Sequence, residues 1–549
     1  MCKPLLTLFT GIALWAQPSI NTAGILNASG YQNKLAPDTV FVIFGSGMGP
    51  AALVAAPSDY PATLAGTSVT FTPSAGGQAV NARMVYTVAG QVAGLLPSSI
   101  SPGTYAVRVS YNGAAGAAQN VTVVARSFGI AAANSAGSGP AQATIGNVNG
   151  GLSLARFTSG TTSFGGFTWT LTPAHPGDTL VFWGTGGGAD PANDTGGTSG
   201  DQTAAGGFAV TVGGRTITPL YAGASSGYPG LWQVNFTLPA DIAPNCFAPA
   251  RVAAGGEVSN TVTIAIAPAG QSACSDPNLS TASLARLDAG GSIVGGAFGL
   301  VHSDAVTSAS TTTQEFASGA FYKWTATEWA LGAGLRPALG QCGVWDRTVS
   351  GGLDPASPAT GLDAGVRLPL SGPNLAAGVG LARTTVSPLG SIYLLNPIAT
   401  SLSAGGTYSL SGSGGADVGA FPAVNSRMPD SFTVTNLTSI GPVDRTRALT
   451  INWTGAGFDH LLIDVDSTVS LGGGNNHVVT ITCDAPGPPG SFTIPATLMS
   501  SLLVTANGAI GIYAQPNPVL FTANLAAGGQ IDFGSFAGER GFSKSFAVQ

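Results

Sequence analysis

A serine between glycines is the first pattern in the sequence that could carry chemistry. Ser225 lies at the centre of residues 223–227, whose order Gly-Ala-Ser-Ser-Gly matches the G-x-S-x-G motif of hydrolase nucleophile elbows. That chemistry needs a strand before the serine, a helix after it and a histidine base within reach. Residues 228–230 read Tyr-Pro-Gly, a poor start for a helix, and a chain rich in serine and glycine matches this motif by chance. We therefore predict a turn here and no catalytic residue.

A glycine cluster at Gly45, Gly47 and Gly49 is the nearest approach to a phosphate-binding loop. It lacks the G-x-G-x-x-G spacing, no helix signal follows Pro50, and no P-loop lysine is present. The glycines are typical of a turn. We predict no cofactor.

Residues that could bind a metal ion are scattered. The histidines and cysteines show neither H-x-x-x-H nor C-x-x-C spacing. Asp464 and Asp466 share one predicted strand, and alternation would place both carboxylates on one face, where they could share Ca²⁺ with loop carbonyls. The polar outer face of a sandwich strand has the same pattern, so calcium binding there stays open. Asp190, Asp194 and Asp201 lie in one polar loop without EF-hand spacing. We predict no metal site.

Paired carboxylates, as used in glycoside hydrolysis, are the remaining route to an enzyme. Glutamate is rare, and Glu328 lies among the aromatic residues of 322–329, which could stack on sugar rings. Trp324 and Trp329 are five positions apart, so on a single strand they would point to opposite faces. We expect one of them in the core and the other at the surface. Any function here would be sugar contact rather than catalysis.

The first 270 or so residues are organised by two near-copies of one segment. Residues 37–50 and 176–191 each run from Asp-Thr through β-branched and aromatic residues to Gly-Ser-Gly or Gly-Thr-Gly. Such a run is typical of a buried strand that ends at turn glycines. Further pairs recur at matching distances, namely Gln91-Val92 with Gln233-Val234 and Leu96-Pro97 with Leu238-Pro239. The repetition predicts two tandem copies of one domain.

Short alternating strands fill both copies, with Gly, Pro or Asn-Gly turns between them. This pattern is typical of antiparallel sandwiches, and no window has a sustained helical period. We predict an all-β chain with tandem immunoglobulin-like β-sandwiches at 24–125 and 126–267, then a linker at 268–278. The C-terminal region should form one or two further sandwiches, divided into a β-rich region at 279–424 and a sandwich-like domain at 425–549.

Composition and the N-terminal segment favour export. Residues 1–16 combine a lysine, an apolar run too short to span a bilayer and a small residue at the expected cleavage point, so we predict a signal peptide. No later stretch of about 20 apolar residues occurs, so no membrane span is expected after cleavage. Charged residues are only 8% of the chain, with 19 Lys plus Arg and a net charge of −6. Nucleic-acid binding is therefore not expected.

Cysteine usage agrees with export. Four cysteines remain after cleavage, and they allow two disulfides in three possible connectivities. We favour Cys246–Cys274, which would tie the end of the second repeat to its exit, with Cys342–Cys483 in the C-terminal region. The alternative is that some of these thiols stay reduced.

The two repeats resemble the uncharacterised Solibacter C-terminal domain family, which is abundant in secreted proteins of Acidobacteria. The resemblance covers about residues 20–267. It is carried by Ile25-Leu26-Asn27-Ala28, Pro176 to Gly186, Trp232-Gln233-Val234-Asn235 with Pro239, and Ser259 to Ile264. Trp232 replaces the usual tyrosine, and Gly186-Gly187-Gly188 replaces Gly-Leu-Gly. The resemblance implies immunoglobulin-like folds in an exported protein and implies no known activity.

These observations favour an exported, non-catalytic binding or structural protein of the cell envelope or extracellular space. Its ligand would be a polysaccharide or another surface protein, held by loops at the sandwich ends or by exposed aromatic side chains. Two alternatives remain open. One is an accessory or catalytic chain of a carbohydrate-active enzyme with its active part in 279–549, and the other is a self-assembling surface layer or filament. The sequence leaves the oligomeric state undetermined.

Overall fold

The computed structural model describes residues 17–135, 137–146, 152–164, 167–307, 309–330, 337, 339–350, 360–398, 401–487 and 490–549. The predicted signal peptide, residues 1–16, lies outside these ranges. Strands dominate the described residues and helices are short, which confirms the all-β fold of tandem sandwiches.

The first sandwich is built from strands between Ser19 and Val123. They pair in the sheet order β1-β3-β8-β7-β4 and in a facing sheet β2-β11-β9-β5-β6, with β10 beside β9. Their bounds are β1 Ser19–Asn27, β2 Lys34–Leu35, β3 Val40–Ser46, β4 Val54–Ala55, β5 Thr67–Pro73, β6 Val80–Asn81, β7 Arg83–Val88, β8 Gln91–Leu95, β9 Gly103–Tyr111, β10 Ala114–Ala115 and β11 Gln119–Val123. Alternate apolar side chains from both sheets, such as Phe41, Phe71 and Val107, fill the space between them.

The second sandwich has the sheet orders β15-β16-β14-β13-β17-β21-β20, with β12 beside β17, and β19-β18-β22-β23, with β24 beside β22. Its bounds are β12 Gly129–Ile130, β13 Ala143–Gly146, β14 Leu152–Ala155, β15 Gly160–Phe164, β16 Phe167–Thr172, β17 Thr179–Thr185, α1 Thr203–Gly206, β18 Ala209–Val212, β19 Arg215–Ile217, β20 Tyr221–Ala224, β21 Trp232–Thr237, β22 Asn245–Ala254, β23 Glu257–Val258 and β24 Val262–Ile266. Trp232 lies fully buried in its core.

The two sandwiches share the strand register of their repeated segments. Gln91 lies opposite Phe44 in the β3–β8 pair, and Gln233 lies opposite Trp183 in the β17–β21 pair. The glycines that follow each strand, Gly47 and Gly186, both have positive φ (64° and 87°), which other residues adopt only with strain. The sequence repeat therefore reflects equivalent strand pairing.

The C-terminal region is dominated by one long sheet. Its order is β27-β37-β36-β39-β41-β25-β26-β28-β31-β30-β29-β32-β33, with β40 beside β41. Strands β34-β35-β38 form a separate small sheet. The bounds are α2 Thr281–Asp288, β25 Ser292–Val306, β26 Thr311–Thr325, α3 Ala326–Ala330, β27 Gln341–Ser350, β28 Thr360–Leu362, β29 Arg367–Ser371, β30 Gly380–Val386, β31 Gly390–Leu395, β32 Thr407–Gly412, β33 Phe421–Arg427, β34 Thr433–Val434, β35 Leu449–Thr454, β36 His460–Gly472, β37 Asn475–Pro486, β38 Ser491–Ile494, α4 Ala496–Met499, β39 Thr505–Gln515, β40 Val519–Phe521 and β41 Phe533–Val548.

Distinct cores lie along this long sheet. In one, Ile451 and Trp453 of the small sheet pack with Ile463 and Ile481 of the long sheet. In another, aromatic residues from distant strands gather around the fully buried Phe321. The predicted boundary between residues 424 and 425 falls inside this sheet, because β25 pairs with β41 and β27 pairs with β37.

Both disulfides have the predicted connectivity. Cys246 of β22 bonds to Cys274, and Cys342 bonds to Cys483 directly across the β27–β37 pair. The first disulfide fastens residues 268–278, predicted as a linker, to the second sandwich, and the backbone N–H of Cys274 also donates to the carbonyl of Phe157 (3.0 Å). None of the helices in the described ranges combines the length and the apolar composition that a membrane span requires.

Candidate binding site

A cleft of about 270 Å³ opens where the second sandwich meets the C-terminal region. One wall comes from the second sandwich and includes Arg156, Phe157 and Phe247. The opposite wall comes from the end of α2 and from the β26–α3 turn, and includes Asp288 and Trp329. Clefts between domains are common places for small ligands to bind.

The aromatic side chains of the cleft are contributed by three distant segments. The Phe157 and Phe247 rings lie 5.1 Å apart, and Trp329 lies 6.5 Å from Phe247 in an edge-on arrangement. Phe247 is half-buried, whereas Phe157 and Trp329 are each 5% exposed. The indole N–H of Trp329 is buried without a hydrogen-bond partner among the described residues.

A capping box explains why Trp329 reaches this cleft. The Glu328 carboxylate accepts hydrogen bonds from the backbone N–H (2.7 Å) and hydroxyl (3.1 Å) of Thr325, whose hydroxyl accepts from the Glu328 N–H (3.2 Å). This reciprocal pair ends β26 and begins α3. The helical turn brings Trp329 back beside Trp324, with ring centroids 5.4 Å apart.

The expectation for the two tryptophans was therefore wrong. One continuous strand would place Trp324 and Trp329 on opposite faces. In the structure both side chains are buried, Trp324 at 4% and Trp329 at 5% exposure. The Thr-x-x-Glu signature was visible in the sequence and would have predicted the helix start. Glu328 serves as the cap.

Arg156 and Asp288 form the polar part of the cleft. The Asp288 carboxylate accepts from the backbone N–H groups of Phe157 (3.1 Å) and Thr158 (2.9 Å) and from the Thr158 hydroxyl (3.0 Å). Burial raises the pKa of Asp288, and the hydrogen bonds together with nearby Arg156 oppose that shift. Burial also lowers the pKa of Arg156, while Asp288 works against the shift. Arg156 donates to the carbonyl of Ala155 (2.7 Å).

The residues that line the cleft suit contact with a ligand. Among the described residues that line the cleft, Asp288 is the one that carries a carboxylate, and the oxygens of Asp288 already accept hydrogen bonds. Acid–base hydrolysis of a glycosidic bond requires a second carboxyl group across the bond. The half-buried Phe247 ring and the half-buried Arg156 cation suit the binding of a polar ligand with apolar faces.

The other patterns noted in the sequence do not converge on this cleft. Ser225 follows β20 and enters a turn, and no helix begins there. Gly45 lies in β3, and Gly47 and Gly49 lie in the bend that follows it. Asp464 and Asp466 do share one face of β36, but their carboxylates accept from the hydroxyls of the facing Thr482 (2.6 Å) and Thr480 (2.5 Å) of β37.

The three aspartates of the long polar loop have separate partners. Asp190 accepts from Ser199, Asp194 accepts from Ser98, and Asp201 accepts from Thr203. Across the part of the chain that the structure describes, no three His, Cys, Asp or Glu side chains are grouped so that they could hold a metal ion.

No protein-family model matches the sequence, and no curated protein matches it either. Among solved structures, it is similar to a Bacteroides thetaiotaomicron protein of unknown function (9% identity, 57% of this chain and 58% of that one, TM-score 0.15). It is also similar to the Bacteroides ovatus mixed-linkage glucan utilization locus protein SGBP-B, in complex with a mixed-linkage heptasaccharide (11% identity, 86% of this chain and 90% of that one, TM-score 0.13). Sidekick-1 immunoglobulin domains 1–4 are a further match (9% identity, 97% of this chain and 99% of that one, TM-score 0.11). At these TM-scores the similarities carry no argument about function, and the resemblance to the Solibacter family stays a prediction.

Proposed function

We propose that this chain is an exported, non-catalytic protein that binds a polysaccharide in the cleft between the second sandwich and the C-terminal region. The observation that carries the proposal is the convergence of Phe157, Phe247 and Trp329 beside the Arg156–Asp288 pair. Sugars present C–H faces that pack on aromatic rings and hydroxyls that pair with buried polar groups.

Export is supported by the disulfides and by the N-terminal sequence. Disulfides persist in oxidising compartments and are rare in the cytosol. Both bonds join residues that are distant in sequence and buried in the structure. A low-charge surface agrees with an extracellular β protein. We place the protein at the cell surface or in the extracellular space.

The test is binding of the full chain to a panel of insoluble polysaccharides, followed by titration of a soluble oligosaccharide of whichever one is retained. Phe247→Ala removes a half-buried ring from the cleft, and we expect about tenfold weaker binding, equivalent to about 1.4 kcal/mol. Phe167→Ala is the matched control, because Phe167 is an aromatic residue that is 69% exposed and absent from the cleft lining.

Circular dichroism should show that both variants stay folded. Equal affinity of Phe247→Ala and the unaltered chain would contradict the cleft as the binding site. Retention on none of the polysaccharides would contradict the sugar ligand, and a surface protein would then be the next candidate.

A further inference from the structure

A loop of the second sandwich contacts the first sandwich. This bridging loop, residues 186–202, joins β17 to α1. Its Asp194 carboxylate accepts from the backbone N–H (2.9 Å) and hydroxyl (2.7 Å) of Ser98 in the first sandwich. The Arg83 guanidinium donates to the backbone carbonyl of Asp194. The loop therefore links the two sandwiches through directed hydrogen bonds.

Asp38 of the first sandwich is buried against this loop. The side chain is 0% exposed, and its Oδ2 accepts from the backbone N–H of Asp190 (2.9 Å). Its Oδ1 has no hydrogen-bond partner among the described residues, and the Asp194 side chain is near enough to disfavour ionisation of Asp38. A buried, unpaired carboxylate oxygen beside a second carboxylate is very unfavourable if both are ionised.

Charged groups around Asp38 do not relieve this repulsion. Burial, followed by Asp194, raises the pKa of Asp38 to about 8; the hydrogen bond from the Asp190 N–H opposes this rise, and the Asp190 carboxylate adds to it. The two arginines that contact the bridging loop are engaged with other groups. Arg83 donates to the backbone carbonyls of Asp59, Tyr60 and Asp194, and Arg126 donates to Gly187 and Gln202.

We propose that Asp38 carries a proton on Oδ1 and donates it to the Asp194 carboxylate, so that this shared proton fastens the two sandwiches and its loss at alkaline pH releases the bridging loop. The proton turns the unpaired oxygen into a donor and removes one of two adjacent buried charges. Asn193 in the same loop is fully buried, and neither of its side-chain polar atoms has a partner among the described residues. Opening would hydrate that amide, which favours release once the proton is gone.

The size of the effect follows from proton linkage. Opening exposes Asp38 to water and returns its pKa towards the ordinary value of 3.8. Between that value and about 8, opening is coupled to the release of one proton. The equilibrium constant for opening should therefore rise about tenfold per pH unit in this window and level off above it.

Hydrogen exchange of the full chain tests the proposal. The reporters are the backbone N–H groups of Asp190 and Ser98, which donate across the interface. After division by the intrinsic exchange rate, their protection should fall about tenfold per pH unit from about pH 5 to about pH 8. Asp38→Asn keeps a donor towards Asp194 and an acceptor for Asp190 but carries no titrating group, so its protection should be independent of pH.

Two further variants make the result decisive. Asp241→Asn alters an exposed aspartate of the second sandwich and should keep the slope of the unaltered chain. Asp194→Asn removes the facing charge, so protection should level off at a lower pH, which tests the pairing even if Asp38→Asn fails to fold. The proposal is overturned if protection in the unaltered chain does not depend on pH, or if Asp38→Asn or Asp194→Asn has the unaltered pH profile.

Discussion

Asn27 should be the most costly single polar residue to remove from the junction of the two sandwiches. Its side chain is fully buried, and its amide donates to the carbonyls of Ser127 (3.0 Å) and Thr185 (3.2 Å) in the second sandwich. Its oxygen accepts from the N–H groups of Ser29 (2.9 Å) and Gly30 (3.2 Å). At roughly 1 kcal/mol net for each bond, Asn27→Ala should lower the free energy of unfolding of the first sandwich by about 4 kcal/mol.

Urea titration read by hydrogen exchange checks this prediction, because exchange resolves the separate domains of a chain that does not unfold in one step. With a urea dependence of about 2 kcal/mol per molar, the midpoint of peptides from β3 should fall by about 2 M. Asn120→Ala is the matched control, since Asn120 is an exposed asparagine of the same sandwich and should change stability by less than about 0.5 kcal/mol. Equal midpoints for the two variants would refute the role assigned to Asn27.

Two further predictions concern the C-terminal region and its disulfide. Replacing both Cys342 and Cys483 by alanine should destabilise the fold more than replacing Cys246 and Cys274, because the sequence separations are 141 and 28 residues. The chain-entropy model gives a loss of unfolding free energy of about 5 kcal/mol for the first pair and about 3.5 kcal/mol for the second. Calorimetry of the two double variants measures the difference. The carboxylate of Asp346, 2.6 Å from His477, raises the pKa of that imidazole above 6.5. The stabilisation of the folded state by the His477–Asp346 ion pair is therefore complete below pH 6.5, and it is lost as the pH rises through the raised pKa of His477. Because Asp346 is largely exposed, we expect at most about 1 kcal/mol. His477→Asn should abolish that pH-dependent part of the urea midpoint, and an unchanged pH profile would contradict it.

Local sequence patterns predicted much of the fold because they report on short-range physics. The strand runs that end at Gly47 and Gly186 were recognisable from β-branched residues followed by turn glycines. Their common register with Gln91 and Gln233 follows from the same repetition. Disulfide pairing was narrowed to three connectivities by counting, and the structure shows the favoured one.

The candidate cleft could not be predicted in the same way. Glu328 and the tryptophans beside it are neighbours in sequence, but the prediction of a single strand did not include the capping box that redirects Trp329. Arg156, Phe157 and Phe247 show no motif. They join Asp288 only because separate parts of the chain pack together.

The sequence by itself determined that the chain is all-β, that its first two domains are copies and that its cysteines could form two disulfides. These properties depend on residue type and on spacing along the chain. Tertiary structure alone decided that β25 lies beside β41, that Asp38 faces Asp194 and that the aromatic residues of the cleft meet. Such contacts join residues far apart in sequence, and they are selected by the burial of apolar surface and the pairing of polar groups across the whole fold.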